Sequence, residues 1–277
     1  MEPTEGSFRF EGRRIAFADY GSGERTLVLA HGLLMNRHMY DQLAPAMVER
    51  GLRVITVDLL GHGVSDRPTD MRAYSMSRFG DQLAGLIDHL ELDRPVVGGT
   101  SLGANATLEM AARHPRAARG LFIEMPVLDN ALVAAGLIFL PILVTLRVGK
   151  PVLRAVATVT NRIPRSHLLV DILLDWTRRT PESSEAVLQG ILFGRTAPPR
   201  EERELIGVPA LVIGHPADPL HPFTDSDMLA EELPRARLVN AESIFEWRIS
   251  PGRLDDELAE FVTDVYAEEH AESLEAG

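Results

Sequence analysis

The sequence predicts an α/β fold in which a mostly parallel sheet is covered by helices on both faces. Short apolar runs with the length of buried strands alternate with segments of helical spacing along most of the 277 residues. Strands that alternate with helices pair in parallel through right-handed crossovers. A hydrophobic content of 45% is ordinary for a globular chain, and the length suits one large domain of this class.

The predicted elements follow one another in a regular order. Residues 7–19 alternate loosely around "EGRR" and predict an opening hairpin. Buried strands are predicted, in chain order, in "TLVLAHG", "LRVITVDLLGHG", "RPVVGGTS", "ARGLFIEMP", "VPALVIGH" and "RARLVNA". Amphipathic spacing predicts helices over residues 39–50, 75–90, 102–113 and 253–269.

The alternation stops in the middle of the chain, where an apolar and helical segment carries several prolines, at Pro141, Pro151, Pro164 and Pro181. An insert that follows the carboxyl end of a parallel strand lies over the ligand-binding edge of the sheet. We therefore predict a core formed by residues 1–126 and 209–277, with residues 127–208 inserted in it as a helical cap.

Composition excludes several classes of function. The net charge of −12 and the pI of about 5.2 disfavour a nucleic-acid binder, which needs a basic surface. The absence of cysteine excludes disulfides, thiolate catalysis and cysteine-bound metals. We expect neither a cofactor nor a metal ion. The first ten residues lack a basic and apolar leader, so a cytoplasmic location is expected.

The run from Ala131 to Leu146 contains no charge and needs to be compared with a membrane span. A spanning helix takes about 20 apolar residues, whereas this run is shorter and contains Pro141. We expect no stable membrane span here. The apolar side chains between Leu137 and Trp176 predict instead an apolar pocket for a small substrate or ligand, or a homodimer formed through the cap.

The segment from Gly99 to Gly103 matches the pattern G-x-S-x-G, with Ser101 at its centre. It lies between a predicted buried strand and a predicted helix, which is the context that this motif requires. Small residues on either side let strand and helix approach closely, and the serine takes a strained backbone conformation. Its oxygen then lies at a helix N-terminus, where a developing negative charge is stabilised. Ser101 is the candidate nucleophile.

Two further glycine loops accompany this turn. In "LAHGLLMN" the loop after an earlier strand can donate a backbone N–H to an oxyanion hole, and the N–H groups of Leu33 and Leu102 are the candidate donors. His31 in this loop is predicted to be structural. In "DLLGHGVSDRP" the glycines form a tight loop, and His62 is predicted to pack within it.

The order of these motifs, with the helical insert and "GHPADP" behind them, resembles the α/β-hydrolase superfamily. The resemblance covers nearly the whole chain. It implies an eight-stranded core sheet, a Ser–acid–His triad in that order, and a cap that shapes the substrate pocket. A serine at the elbow disfavours the dehalogenase and epoxide hydrolase branches, which use aspartate there. Asp218 matches the acid position, with Asp129 as an alternative acid.

The resemblance also implies a histidine after the last strand, where "VNAESIFEWRISPG" offers Glu246 between Phe245 and Trp247. Two candidate bases remain. One is His221, three residues after Asp218. The other is Glu246, whose pKa a second carboxylate would raise. We favour a structural role for Glu246, paired with Arg248 or another arginine, because an unshifted carboxylate is a poor base for a hydroxyl.

The remaining histidines complete the set of candidates. His38 follows the oxyanion loop, His167 lies in the cap and His215 ends a strand. His89 and His114 lie on helices behind the sheet, and we expect no catalytic role for them.

The first hypothesis is a cofactor-independent serine hydrolase, similar to carboxylesterases and lipases, that acts on an apolar ester with an unconventional base. The alternative is a non-hydrolytic family member, either a ligand-binding pseudoenzyme or a lyase or cyclase that uses the oxyanion hole. A third hypothesis is an interaction protein that uses the apolar cap.

Overall fold

The computed structural model of the protein describes residues 2–164, 174, 177–178, 180–218, 220–243 and 246–275. Within them, eight strands form one sheet in the order β1-β2-β4-β3-β5-β6-β7-β8. The strands are β1 Thr4–Phe10, β2 Arg13–Tyr20, β3 Thr26–Ala30, β4 Arg53–Asp58, β5 Val96–Thr100, β6 Gly120–Glu124, β7 Ala210–Gly214 and β8 Ala236–Asn240. The predicted fold class and eight-stranded sheet are confirmed.

The sheet is parallel except at its first edge. The hairpin of β1 and β2 pairs antiparallel, and β2 joins β4 in the same way. The pairs from β4 to β8 are all parallel, so the carboxyl ends of these strands meet at one edge. Ligands bind at this edge in open α/β sheets.

The described helices are α1 Leu43–Glu49, α2 Met76–His89, α3 Leu102–Arg113, α4 Leu132–Val148, α5 Lys150–Thr160, α6 Pro181–Leu192, α7 Arg200–Arg203, α8 Phe223–Glu232, α9 Glu246–Ile249 and α10 Gly252–Glu275. The helix predicted over residues 39–50 is shorter, because its first turn is a separate 3₁₀ helix at Arg37–Tyr40. The helix predicted over 75–90 begins at the side-chain cap provided by Ser75.

Apolar layers cover both faces of the sheet. On one face Phe79 and Leu83 of α2 and Leu229 of α8 belong to a single buried cluster with the strands. On the other face Met47 of α1 and Leu258 of α10 belong to a second cluster. Burial of the strands on both faces explains their continuous apolar sequences.

The residues between β6 and β7, numbers 125–209, form the insertion, which carries α4 to α7. It has a small buried cluster of its own, built by Leu143 and Leu146 of α4 with Leu188 of α6. Some residues named in the sequence interpretation of the cap, His167 and Trp176 among them, lie outside the described part of the chain.

Two buried polar side chains fasten the insertion to the core. Asn105 of α3 donates to the carbonyl oxygens of Val127 and Thr196, at 2.7 and 2.8 Å, and accepts the Val127 N–H at 3.1 Å. The buried carboxylate of Asp225 in α8 accepts the N–H groups of Leu128, Asn130 and Ala131 and the Asn130 side-chain amide. These contacts fix the segment that leads into α4.

None of the described helices is by itself long and apolar enough to cross a membrane. Helices α4 and α5 reach that length and composition only together, and the chain bends by 93° between them.

Candidate active site

Ser101 lies in the turn between β5 and α3 with backbone angles of φ 55° and ψ −108°. This left-handed conformation is strained for a residue with a side chain. The neighbouring glycines make the turn possible, because a Cβ at Gly99 or Gly103 would lie 2.2 or 1.9 Å from the carbonyl oxygen of Ala30. The predicted need for small residues around the serine is confirmed.

Three other non-glycine residues with positive φ follow neighbouring strands. Leu34 (φ 59°) follows β3, Met125 (φ 53°) follows β6 and Ala217 (φ 58°) follows β7. Together with Ser101 after β5, they lie at one edge of the sheet. Each of the four adjacent strands β3, β5, β6 and β7 is thus followed by a non-glycine residue with positive φ. Each such residue costs on the order of 1–3 kcal/mol, and this kind of strain clusters at functional sites.

The side chains of Ser101, His221 and Asp218 meet at this edge. Nε2 of His221 lies 2.9 Å from Oγ of Ser101, and Nδ1 lies 2.9 Å from Oδ2 of Asp218. This geometry suits an imidazole that donates Nδ1–H to the carboxylate and accepts the serine hydroxyl at Nε2. The three groups form a hydrogen-bonded chain from acid to hydroxyl.

The loop between β7 and α8 makes this arrangement possible over three residues. Oδ1 of Asp218 accepts the backbone N–H groups of Leu220 at 2.8 Å and of His221 at 3.0 Å. These bonds fold the loop around the carboxylate, immediately after the left-handed Ala217. Both side chains of the acid–imidazole pair are largely buried.

The surroundings of Asp218 keep it ionised. Burial raises the pKa of its carboxyl group, but the hydrogen bonds and charge of His221, together with the Leu220 N–H, outweigh burial and hold the pKa at about 2. A carboxylate that remains charged at neutral pH can orient an imidazole and stabilise the imidazolium form.

Glu246 lies in a different set of contacts. Its carboxylate accepts two hydrogen bonds from the guanidinium of Arg253, at 2.8 and 2.9 Å, and one from the backbone N–H of Glu242. The hydrogen bond from Arg253 is the main cause of its lowered pKa, which makes it a weak proton acceptor. These contacts describe the favoured structural role, with Arg253 as the partner, while the side chain of Arg248 lies outside the described part of the chain.

The segment after β8 is packed into the core around Trp247. The indole lies edge-on to Phe122 with ring centroids 5.4 Å apart, and its Nε1–H donates to Asp255 at 2.7 Å. Phe245 lies outside the described residues. The stretch where the family resemblance implies a histidine therefore serves to fasten α9 and α10 to the sheet.

The two histidines of the glycine loops serve backbone contacts, as predicted. Nε2 of His31 accepts the Leu59 N–H at 3.2 Å, and Nε2 of His62 accepts the Leu34 N–H at 3.3 Å. Both rings are fully buried and lie 4.7 Å apart.

The other candidate histidines that the structure describes have partners away from Ser101. His38 lies 3.0 Å from Asp41, and His114 lies 2.8 Å from Asp81. His89 stacks on Phe8. Among the described residues, no group of three His, Cys, Asp or Glu side chains is arranged to hold a metal ion.

A buried polar network beneath the serine turn was missed by the sequence interpretation. Glu124, the last residue of β6, lies 3.1 Å from Nε2 of His215 and accepts the hydroxyl of Thr100. Thr100 lies 3.1 Å from the hydroxyl of Tyr40, which donates to Ala30. A glutamate at the end of an otherwise apolar strand was the available signal, since buried carboxylates need partners.

Asp129, the alternative acid, takes no part in this network. Its exposed carboxylate lies 3.5 Å from Arg203.

A cavity of about 300 Å³ adjoins Ser101. From the core it is lined by Leu33, Leu102, Met76 and Asn105, and from the insertion by residues of α4 and α6, including Leu132, Gly136, Phe139, Leu188 and Ile191. The volume and the apolar lining with few polar groups are typical of a small-molecule site.

Both candidate oxyanion donors line this cavity beside Ser101. Leu102 is the first residue of α3, and the first N–H groups of a helix have no intrahelical acceptor. Leu33 precedes the left-handed Leu34 in the loop after β3.

Comparisons with known proteins agree with this architecture. Residues 25–140 match a family model described as alpha/beta hydrolase fold. A hydrolase from Pseudomonas aeruginosa, known from its crystal structure, superposes with a TM-score of 0.75 at 20% identity, over 93% of this chain and 98% of that one. The protein therefore has the α/β-hydrolase fold, and residues 25–140 resemble the family of that name, as the motif order indicated.

Two relatives at the sequence level each align with less than half of the chain. The 2-(acetamidomethylene)succinate hydrolase of Mesorhizobium japonicum is 34% identical over 116 residues, which span 39% of this chain and 40% of that protein. The AB hydrolase superfamily protein YisY of Bacillus subtilis is 33% identical over 96 residues, 35% of each chain. The aligned segments thus cover well under two thirds of these relatives.

Proposed function

We propose that the protein is a serine hydrolase that cleaves an apolar carboxylic ester. The observation that carries the proposal is the position of His221, with one ring nitrogen 2.9 Å from Ser101 Oγ and the other 2.9 Å from Asp218. This is the arrangement of nucleophile, base and orienting acid that activates a serine hydroxyl. The base is unconventional in its place along the chain.

In the proposed reaction His221 takes the proton from Ser101 as Oγ attacks the ester carbonyl carbon. Asp218, ionised and hydrogen-bonded to Nδ1, stabilises the imidazolium that forms. The N–H groups of Leu33 and Leu102 stabilise the oxyanion of the tetrahedral intermediate. His221 then gives its proton to the departing alcohol oxygen, and a water molecule, deprotonated by the same imidazole, hydrolyses the acyl-enzyme.

The cavity beside Ser101 supports an apolar substrate. Its walls are formed mainly by aliphatic side chains and Phe139, and Asn105 directs its polar atoms to the backbone of the insertion. We propose that the insertion acts as a cap, because α4 and α6 supply one wall of this cavity. An acyl or alcohol group without charge fits such a lining best.

A non-hydrolytic function and Glu246 as the base both have less support. A non-hydrolytic role was suggested by the lack of a base in the usual segment, and His221 now provides a candidate base. Glu246 is engaged by Arg253, and its lowered pKa disfavours it as a proton acceptor.

A fluorophosphonate probe, which labels an activated serine, tests the proposal. We expect wild type to be labelled, Ser101→Ala to remain unlabelled and His221→Ala to react far more slowly. Glu246→Gln is the matched control and should be labelled as wild type is. Equal labelling of wild type and Ser101→Ala, or loss of labelling in Glu246→Gln with retention in His221→Ala, would overturn the assignment.

A further inference from the structure

Helix α5 turns two basic residues towards α6 and leaves three valines on its outer side. Lys150 and Arg154 lie one turn apart and form ion pairs with Glu185 and Glu182 of α6. Ala157, on the same face, is buried. The side of α5 that faces α6 therefore carries two cations beside Ala157 and Leu153, and Leu153 packs on the cluster of α4 and α6. A surface helix in a globular protein usually turns its whole apolar face inward.

The opposite face of α5 carries valines that face solvent. Val152 and Val159 are 68% and 61% exposed, and Val156 lies between them with partial exposure. Their spacing of four and three residues places them in one stripe. The ion pairs with α6 fix the rotation of α5 about its axis, and this rotation leaves the three valines exposed to solvent.

Helix α4 extends the apolar surface. Val133, Leu137, Leu140 and Val144 are exposed, and Val148 at its end is 77% exposed. Other residues of α4 line the cavity beside Ser101, so the helix has apolar side chains on both sides as far as Val144. Two helices at 93° to each other thus present a continuous apolar chain segment, larger than the scattered single residues common on protein surfaces.

The charge of this segment differs from that of the rest of the protein. Residues 131–164 contain four basic residues and no aspartate or glutamate, in a chain whose net charge is −12. Lys150 and Arg154 are paired with glutamates of α6, whereas Arg147 and Arg162 are exposed and lie just before and just after α5. An apolar stripe with a cation at either end is complementary to an anionic lipid surface.

We propose that the outer faces of α4 and α5 dock on an anionic membrane surface, with the valine stripe in the acyl boundary and the two arginines among the headgroups. The helices lie in the interface and do not cross the bilayer. Helix α4 then has lipid on one side and the cavity beside Ser101 on the other, which places the cavity within one helix diameter of the membrane.

A second copy of the chain fits this face less well than lipid does. A two-fold interface repeats the same patch on both sides. It would bring Arg147 and Arg162 of one copy against those of the other, while the segment of residues 131–164 offers no carboxylate to pair with them. Like charges facing each other oppose association.

Co-flotation with lipid vesicles tests the proposal by measuring the fraction of protein that binds. The neutral vesicles contain phosphatidylcholine alone, and the anionic vesicles contain phosphatidylcholine with roughly 30% phosphatidylglycerol. Wild type should bind the anionic vesicles, and Val152→Ser/Val159→Ser should lower the partition coefficient at least about tenfold. Leu205→Ser is the matched control, because Leu205 is 83% exposed outside this face. It should bind as wild type does.

A second variant, Arg147→Gln/Arg162→Gln, separates charge from apolar contact. Each cation close to an anionic surface strengthens binding about fivefold, so this variant should lose roughly 25-fold on anionic vesicles and nothing on neutral ones. Ser101→Ala should bind vesicles as wild type does, which keeps this test independent of the proposed hydrolysis.

Absence of wild-type binding to anionic vesicles would overturn the proposal. So would a Val152→Ser/Val159→Ser variant that binds them as well as wild type does and has the same thermal unfolding midpoint. Sedimentation as a dimer that Val152→Ser/Val159→Ser dissociates would assign the face to a second copy instead.

Discussion

Nε2 of His221 lies 2.9 Å from Oγ of Ser101, although 120 residues separate them and the histidine follows its carboxylate partner by only three. The candidate acid and the candidate base thus come from one loop after β7. The loop after β8, freed from this task, is held by an ion pair and a buried indole. The consequences for catalysis and stability can be measured separately.

The first prediction concerns turnover. His221→Ala should lower kcat for a p-nitrophenyl ester by about 10⁶-fold and Asp218→Asn by about 10⁴-fold, because the imidazole moves the proton and the carboxylate only orients it. Steady-state kinetics on purified variants measure both. His38→Ala is the control histidine and should stay within about twofold of wild type, as expected of a surface substitution. Equal losses for His38 and His221 would contradict the assignment.

The second prediction concerns the dependence of stability on pH. The pKa of Asp218 falls from its ordinary value of 3.8 to about 2 in the folded protein. A lowered folded-state pKa stabilises the fold above the unfolded-state value, and this contribution, roughly 2 kcal/mol, is lost as pH falls towards 2.

Chemical denaturation of wild type and Asp218→Asn, between about pH 6 and about pH 3, measures the contribution of Asp218 to the unfolding free energy. The difference in unfolding free energy between the two proteins should shrink as the pH is lowered. A difference that stays constant over this range would show that Asp218 has an unshifted pKa.

The third prediction concerns the size of the cavity. A Cβ added at Gly136 on α4 meets no atom within 4 Å, and Gly136 lines the cavity. Gly136→Leu should therefore fill space that substrate needs, and lower kcat/KM for a hexanoate ester relative to an acetate ester by about tenfold or more.

Gly136→Ala adds only a methyl group and should raise the unfolding free energy by about 0.5–1 kcal/mol, since alanine is the better helix former. Val133→Leu, on the solvent side of the same helix, is the control and should leave the ester preference unchanged. A change of preference in Val133→Leu as large as that in Gly136→Leu would place the substrate elsewhere.

The fourth prediction concerns the buried pair of Glu124 and His215. Glu124 accepts the Thr100 hydroxyl and lies 3.1 Å from Nε2 of His215, so Glu124→Ala leaves buried polar groups without their partner and should cost about 2–5 kcal/mol in unfolding free energy. The exposed pair of Arg235 and Glu268 is the control, and Arg235→Ala should cost under about 1 kcal/mol. Similar losses in both variants, measured by urea denaturation, would mean that the buried pair carries no special stabilisation.

The fold was predictable because its elements are strongly periodic. Continuous apolar runs mark strands buried on both faces, and the position of Ser101 between such a run and a helix located the elbow. The glycines at positions 99 and 103 were informative because a side chain at either position would clash with the carbonyl oxygen of Ala30.

The place of the proposed base was not predictable to the same degree. His221 was a candidate among several histidines, and its approach to Ser101 depends on the left-handed Ala217 and on two backbone N–H groups that fold the loop around Asp218. Such local geometry leaves no periodic signal in a sequence. The pair of Glu124 and His215 was missed because a strand pattern reveals apolar positions but does not show which polar residues meet.

The contacts of Asn105 have a consequence for how this scaffold diversifies. One amide side chain holds both Val127 and Thr196, so the chain leaves the core and returns to it at a single point. A segment of another length or shape can span the same two ends without disturbing the register of the strands beneath. If the insertion acts as the proposed cap, exchange of residues 127–196 should alter the range of molecules admitted while the serine, imidazole and carboxylate keep their places.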